Sequence, residues 1–181
     1  MRRAPRHLLD MPLSCRSLIG ITALMTVTVT VPLRAQGATL RVERDGRAPV
    51  MLTLEAMRRL TVDTVSQSSH GAPAVRYRAV RLLDVMAAAG SPIDSLRLGR
   101  TGWIVAAIAS DGYSAVFAAG EIEPKLGPTR VWVAFERDGT PLEANEAPFH
   151  LIVPTDVHGT RSARQVTTVR ILDALASRPA P

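Results

Sequence analysis

The sequence predicts an α+β domain: mixed β-sheets with a few short helices. Three observations lead there. After residue 38, short alternating or continuous apolar runs recur along the chain, at the length and period of strands. Helical spacing appears in only two or three short stretches, between groups of strands and without the regular alternation of a parallel α/β fold. Apolar residues make up 46% of the chain and aromatics only 4%, so Leu, Val, Ile and Ala must supply most of one core. A chain of 181 residues suggests a single domain with extensions.

Residues 1–35 read as a secretory signal peptide. Arg2, Arg3, Arg6 and Arg16 make a basic start, Ser17 to Leu33 carries no charge, and Ala35 precedes a polar stretch. Met11 is an alternative start. Cleavage is favoured over a retained anchor, because an apolar run of about 17 residues is at the low end for a membrane span. A lipoprotein is disfavoured, since Cys15 precedes the apolar run. With five arginines and one aspartate assigned to the signal, the 22 basic and 16 acidic residues become 17 and 15, a net of +2. The formal charge of +6 therefore does not argue for nucleic acid. Cys15 is the only cysteine, so the mature chain has no disulfide and no thiolate. The expected protein is periplasmic or secreted, without a membrane span in its mature form.

The domain is expected over residues 36–174. Thr39 to Glu43 alternates as a strand, Asp45-Gly46 turns, and Val50 to Leu52 returns. Thr53 caps a short helix from Leu54 to Leu60, with Glu55 early and Arg58 and Arg59 late, as the helix dipole favours. Val62 to Ser66 is a strand and Ser68 to Pro73 a loop. Val75 to Val80 is a strand with Val75, Tyr77 and Ala79 on one face. Arg81 to Ala89 is the clearest helix, with Leu82, Leu83, Met86 and Ala87 apolar and Gly90 positioned to end it.

Trp103 to Ala109 reads as a strand buried on both faces. Asp111-Gly112 is a hairpin turn, and Tyr113 to Phe117 the returning strand. Ala118 to Ile122 is one helical turn. Arg130 to Glu136 alternates, with Val131, Val133 and Phe135 opposed to Trp132 and Ala134. Arg137 to Thr140 turns. Pro141 to Pro148 is polar and loop-like. Phe149 to Val153 is a strand on which His150 points away from the face of Phe149 and Leu151. Thr155 to Ser162 is a loop, Gln165 to Leu172 the last strand, and 175–181 a frayed tail. The total is roughly eight strands. Trp103 and Trp132 read as core residues.

The order of these motifs resembles the oxidoreductase molybdopterin-binding domain of the sulfite oxidase superfamily, in a short exported form. The resemblance spans about residues 39–172. It is carried by Leu52-Thr53-Leu54-Glu55, the helix Leu82 to Gly90, Ser110-Asp111-Gly112-Tyr113, Val133 to Leu142, Ala147 to Pro154 and Arg164 to Val169. It implies an α+β fold around a molybdenum–molybdopterin cofactor, redox chemistry on small oxo-species, and a protein cysteine on the metal. The stretch matching that cysteine, Val62 to His70, offers Ser66, Ser68 and His70 but no cysteine. Thiolate is the soft ligand this chemistry uses, so the resemblance supports binding better than catalysis. Arg2-Arg3 also lacks the context of a twin-arginine signal, by which such enzymes are exported with cofactor loaded.

The resemblance makes Asp111 and Tyr113 candidates for a cofactor pocket. The plainer reading of Asp111 is stabilisation of its turn. His158, Arg161 and Arg164 around Gly159 are candidates for holding the phosphate of a cofactor, since guanidinium groups and backbone amides suit phosphate. Their plainer reading is a solvated loop. No metal ligand is identified: His150, Asp156 and His158 lack the spacing of a metal motif, and His70 with Ser66 or Ser68 lacks a nucleophile elbow. Two functions follow. One is a molybdopterin-dependent oxidoreductase. The other is a non-catalytic module for a small anionic ligand or a periplasmic protein partner.

Overall fold

The computed structural model describes residues 37–68, 73–93 and 102–174. The signal peptide expected at 1–35, Ser69, His70 and the tail expected at 175–181 lie outside the described residues.

Among the described residues, one mixed sheet, one antiparallel sheet and three short α-helices enclose the core. The first sheet takes its strands from both ends of the chain: β1 (Thr39–Arg44), β2 (Val50–Thr53), β5 (Trp103–Ala109), β6 (Ser114–Ala118) and β10 (Val166–Asp173). Their order is β2-β1-β10-β5-β6. β1 and β10 are parallel, with Val42 opposite Val169, while the other pairs are antiparallel. The second sheet runs β3 (Val62–Gln67), β4 (Val75–Arg81), β7 (Trp132–Arg137) and β8 (Thr140–Pro141), with β9 (His150–Ile152) also paired to β7. The α+β class holds. Ten strands are found among the described residues where roughly eight are expected; the two-residue β8 is the one whose span reads as turn and loop in the sequence.

Local signals set the element ends. Thr53 Oγ1 accepts from Ala56 N–H at 3.1 Å and so caps α1 (Leu54–Arg58). α2 (Leu82–Ala88) ends where Gly90 takes φ +70 and Ser91 N–H reaches back to the Met86 carbonyl at 2.8 Å, a closure that needs a left-handed residue. At the β7–β8 hairpin Asp138 and Gly139 have φ of +46 and +81, the paired positive angles whose twist matches antiparallel strands. α3 (Ala119–Ile122) starts where Glu121 accepts from Ala118 N–H at 3.1 Å.

The main core lies between the sheets. Val42, Val105, Phe117 and Val169 from the first meet Val80, Val133, Phe135 and Leu151 from the second, closed by Met57, Leu82, Val85 and Met86 of the helices. A second cluster, Val65, Tyr77, Ala79, Ala134 and Ile152, covers the other face of the second sheet. The alternation along β4 and β7 thus divides the two clusters as expected. Trp103 belongs to the main core, and Trp132 packs on the second cluster while its indole N–H donates to Asp63 at 3.2 Å.

Two expectations need correction. β5 is not covered equally: Val105, Ala107 and Ala109 are buried, while on the opposite face Ala106 is buried but Ile104 and Ile108 are half-buried. His150 does point away from Phe149 and Leu151, yet it is 4% exposed. That face is roofed by the 143–148 strap and the loop after β9.

Candidate functional site

A cleft of about 510 Å³ opens where the ends of both sheets meet. The β5–β6 turn brings Asp111 and Tyr113. β3 and β4 bring Gln67 and Tyr77, β7 brings Arg137, and β9 brings His150. The strap adds Asn145 and Glu146, and the loop before β10 adds Gly159 to Gln165 with the exception of Arg161. Its volume lies in the range of small-molecule sites.

Cross-links between distant segments hold these walls. Asp111 Oδ1 accepts from Tyr113 N–H at 2.9 Å, so the aspartate shapes its own turn, and Gly112 at φ +87 completes it. Tyr113 O–H donates to the Thr160 carbonyl at 2.5 Å, tying that turn to the short 3-10 turn at Gly159–Arg161. Gln165 joins three segments. Its N–H donates to the Glu146 carbonyl at 3.0 Å and its side-chain amide to the Ala144 carbonyl at 3.0 Å. Ser110 O–H donates to its Oε1 at 3.1 Å, and Ser110 N–H to its carbonyl at 3.0 Å. It does so with φ +53, an angle uncommon for a residue with a side chain.

The inner end is buried and polar. Tyr77 O–H donates to Glu146 Oε1 at 3.0 Å. The Arg137 guanidinium lies 3.6 Å from the same oxygen and 2.8 Å from Glu143. The Tyr77 ring meets His150 edge-on at 5.2 Å. Burial, then the Glu146 carboxylate, pushes the Tyr77 hydroxyl up to about 12. Burial, then the charge of Arg164, pushes the His150 imidazole down to about 4, because both disfavour a second cation there. Nearer the rim, Ser162 Oγ accepts from Gln67 Nε2 at 2.7 Å and from Val153 N–H at 3.2 Å. Both lone pairs are then used, which leaves the Ser162 O–H as a donor.

Of the candidates read from the sequence, Asp111, Tyr113 and Arg164 lie together on this cleft. Arg164 is exposed and makes no ion pair among the described residues. Arg161 is placed differently. Its guanidinium is bidentate to Asp156, at 2.8 and 2.7 Å, reaches Glu121 at 3.0 Å, and stacks 4.8 Å over the Phe117 ring. Its donors bind the late loop to α3 and β6. His158 lines a smaller neighbouring cleft of about 180 Å³ with Ser66 and Ser68. His150, Asp156 and His158 do not converge, and among the described residues no three metal-ligating side chains do. Tyr77, Glu146, His150 and Gln165 were not singled out for this site from sequence. Glu146, an acidic residue inside a polar, loop-like strap, carries no local signal for burial.

Arg161→Ala should lower folding stability by about 2 kcal/mol, the scale of a lost charge-assisted, partly buried network. Chemical denaturation would measure it. A loss below about 0.5 kcal/mol would mean that the three contacts are not held in solution.

No protein-family model matches the chain, and no curated protein matches it. A solved structure does. The crystal structure of the sulfane dehydrogenase SoxCD from Paracoccus pantotrophus is similar at a TM-score of 0.60 and 19% identity, covering 79% of this chain and 40% of that one. The present chain thus spans about two fifths of that protein's length. At this identity the likeness is one of fold, and it agrees with the mixed-sheet α+β class expected from the sequence.

A molybdenum–molybdopterin group of the kind the resemblance implies needs a soft thiolate donor for its metal. Residues 16–181 contain no cysteine, so the cleft has no thiolate. The oxygens of Ser66 and Ser68, the nearest sequence substitutes, line the smaller cleft instead. The residues of the main cleft do not fit a thiolate-held molybdenum.

Proposed function

We propose that this protein is an exported binding module that keeps a sulfite-oxidase-type fold and holds a small anionic molecule in the cleft beside Arg164. Export rests on the basic and apolar segments of residues 1–35. The observation that carries binding is Arg164. It is a guanidinium on a cleft wall with no carboxylate partner among the described residues, next to the spare donor of Ser162. Arginine recognises carboxylate, sulfate and phosphate through paired N–H donors. Redox chemistry at a thiolate-bound molybdenum is the less supported reading, because the donor set lacks its soft ligand.

Two measurements test this. Titration calorimetry with sulfite, sulfate, phosphate and acetate should find binding for at least one anion, weakened about tenfold or more by Arg164→Ala, the scale of one charge-assisted contact. Protein purified from its native source should carry neither molybdenum by mass spectrometry nor pterin by fluorescence after oxidation. Near-stoichiometric molybdenum with pterin would overturn the proposal.

A further inference from the structure

The inner end of the cleft leaves two hydrogen-bond acceptors unmatched. Glu146 is 2% exposed and His150 4%, yet Glu146 Oε2 and His150 Nδ1 have no hydrogen-bond partner. Both residues line the cleft. A carboxylate only accepts, and a neutral imidazole donates from one nitrogen only. The Ser162 backbone accepts from the His150 ring, and Nδ1 is the ring nitrogen left unpartnered; with the ring proton on the other nitrogen, Nδ1 is a lone pair. Nδ1 stands 3.4 Å from Glu146 Oε1, so two acceptors face the same space with no proton between them. A buried carboxylate oxygen left unpaired costs at least about 1–3 kcal/mol. Among the described residues, nothing in the surrounding walls satisfies it.

Charge points the same way. Arg137 is shared between Glu143 and Glu146, so the buried Glu146 has no cation of its own. Toward the rim, Arg164 is a cation without an anion. The cleft is short of a positive donor at one end and of a negative acceptor at the other.

We infer that the ligand is a small zwitterion of amino-acid type, its ammonium group docked between Glu146 Oε2 and His150 Nδ1 and its acid group at Arg164 and Ser162. This deepens the small-anion reading and rests on it. The ammonium supplies three N–H donors to two unfilled acceptors, and the acid accepts from a guanidinium and a hydroxyl. Each end answers a group that the protein itself leaves unmatched.

Calorimetry on the full mature chain tests it with glycine, β-alanine and 4-aminobutyrate, against acetate, propionate and propylamine, which each carry one of the two groups. At least one amino acid should bind ten-fold or more tighter than either one-armed analogue, and the preferred spacing reports the distance between the two ends. Glu146→Gln keeps the side chain's shape but converts one acceptor to a donor. It should abolish the advantage of the amino acid over the plain acid while leaving acetate affinity within about twofold. Arg164→Ala should weaken both. Nitrogen NMR of His150 gives a readout independent of the variants: Nδ1 should shift upfield when the amino acid binds, as a lone pair accepting a hydrogen bond does. Acids that bind as tightly as amino acids would overturn the zwitterion and leave anion binding standing, with water filling the inner end. If no anion, acid or amino acid binds, the small-anion reading fails and this inference with it.

Discussion

Phe149→Ala should cost about 4 kcal/mol of folding stability. Phe149 is fully buried in the main core, between the sheets and beside Leu151 and Val153. Removing a buried ring forfeits its transfer free energy and leaves a cavity that the neighbours only partly fill, a loss of about 3–5 kcal/mol. Collapse is restricted here, because the Phe149 carbonyl accepts from Val166 N–H at 2.8 Å and Leu151 N–H donates to the Ala163 carbonyl at 2.8 Å. The backbone from Phe149 to Leu151 is thereby tied to the start of β10 and the loop before it. Urea denaturation should show a lower midpoint with an unchanged slope. Val157→Ala, at a residue 92% exposed, should change stability by less than about 0.5 kcal/mol. A small effect at Phe149 would mean that the two sheets are not packed as described.

The next residue produces the second effect, through pH. The His150 pKa falls from 6.5 to about 4 on folding, first because burial disfavours the cation and then because Arg164 repels it. Between those values the unfolded chain binds a proton that the folded chain refuses. Stability is therefore complete above about pH 6.5 and is lost as pH falls toward 4. A difference of this size amounts to about 3 kcal/mol. Denaturation midpoints measured from pH 7.5 to 4 should fall accordingly, and His150→Gln should flatten that limb. An equally steep fall in the variant would assign the acid sensitivity to other groups. The same titration bears on the cleft. A protonated His150 would lose the lone pair that the ligand's donor is proposed to meet, so amino-acid binding should weaken over the same pH range.

Phe149 and His150 also illustrate what alternation can and cannot convey. The period of a strand separates their directions, and the separation holds in the structure. It does not say what covers the second face. His150 is buried because Glu146 approaches it from a strap that reads as solvated loop, and because Ser162 approaches from the loop before β10. Tyr77 and Glu146, bonded at 3.0 Å, are 69 residues apart. Gln67 and Ser162 are 95 apart. Arg161 shows the converse. Its residue type suits a phosphate, but Asp156 five residues earlier and Glu121 forty residues earlier take its donors. Only the meeting of those segments distinguishes it from Arg164, three positions on.

The sequence by itself determined the features that nearby residues decide: the Thr53 cap, the Gly90 stop, the Asp111-Gly112 and Asp138-Gly139 turns, the two-faced patterns of β4 and β7, and with them the α+β class. Each depends on backbone angles or side-chain direction within a few residues, where local physics is sufficient. Tertiary structure decided the parallel pairing of β1 with β10, the tying of three segments by Gln165, the burial of Glu146 and His150, and the release of Arg164 in place of Arg161. Those depend on long-range pairings that place one chain segment against another, and hydrogen-bond demand becomes visible only once both partners and the space between them are fixed.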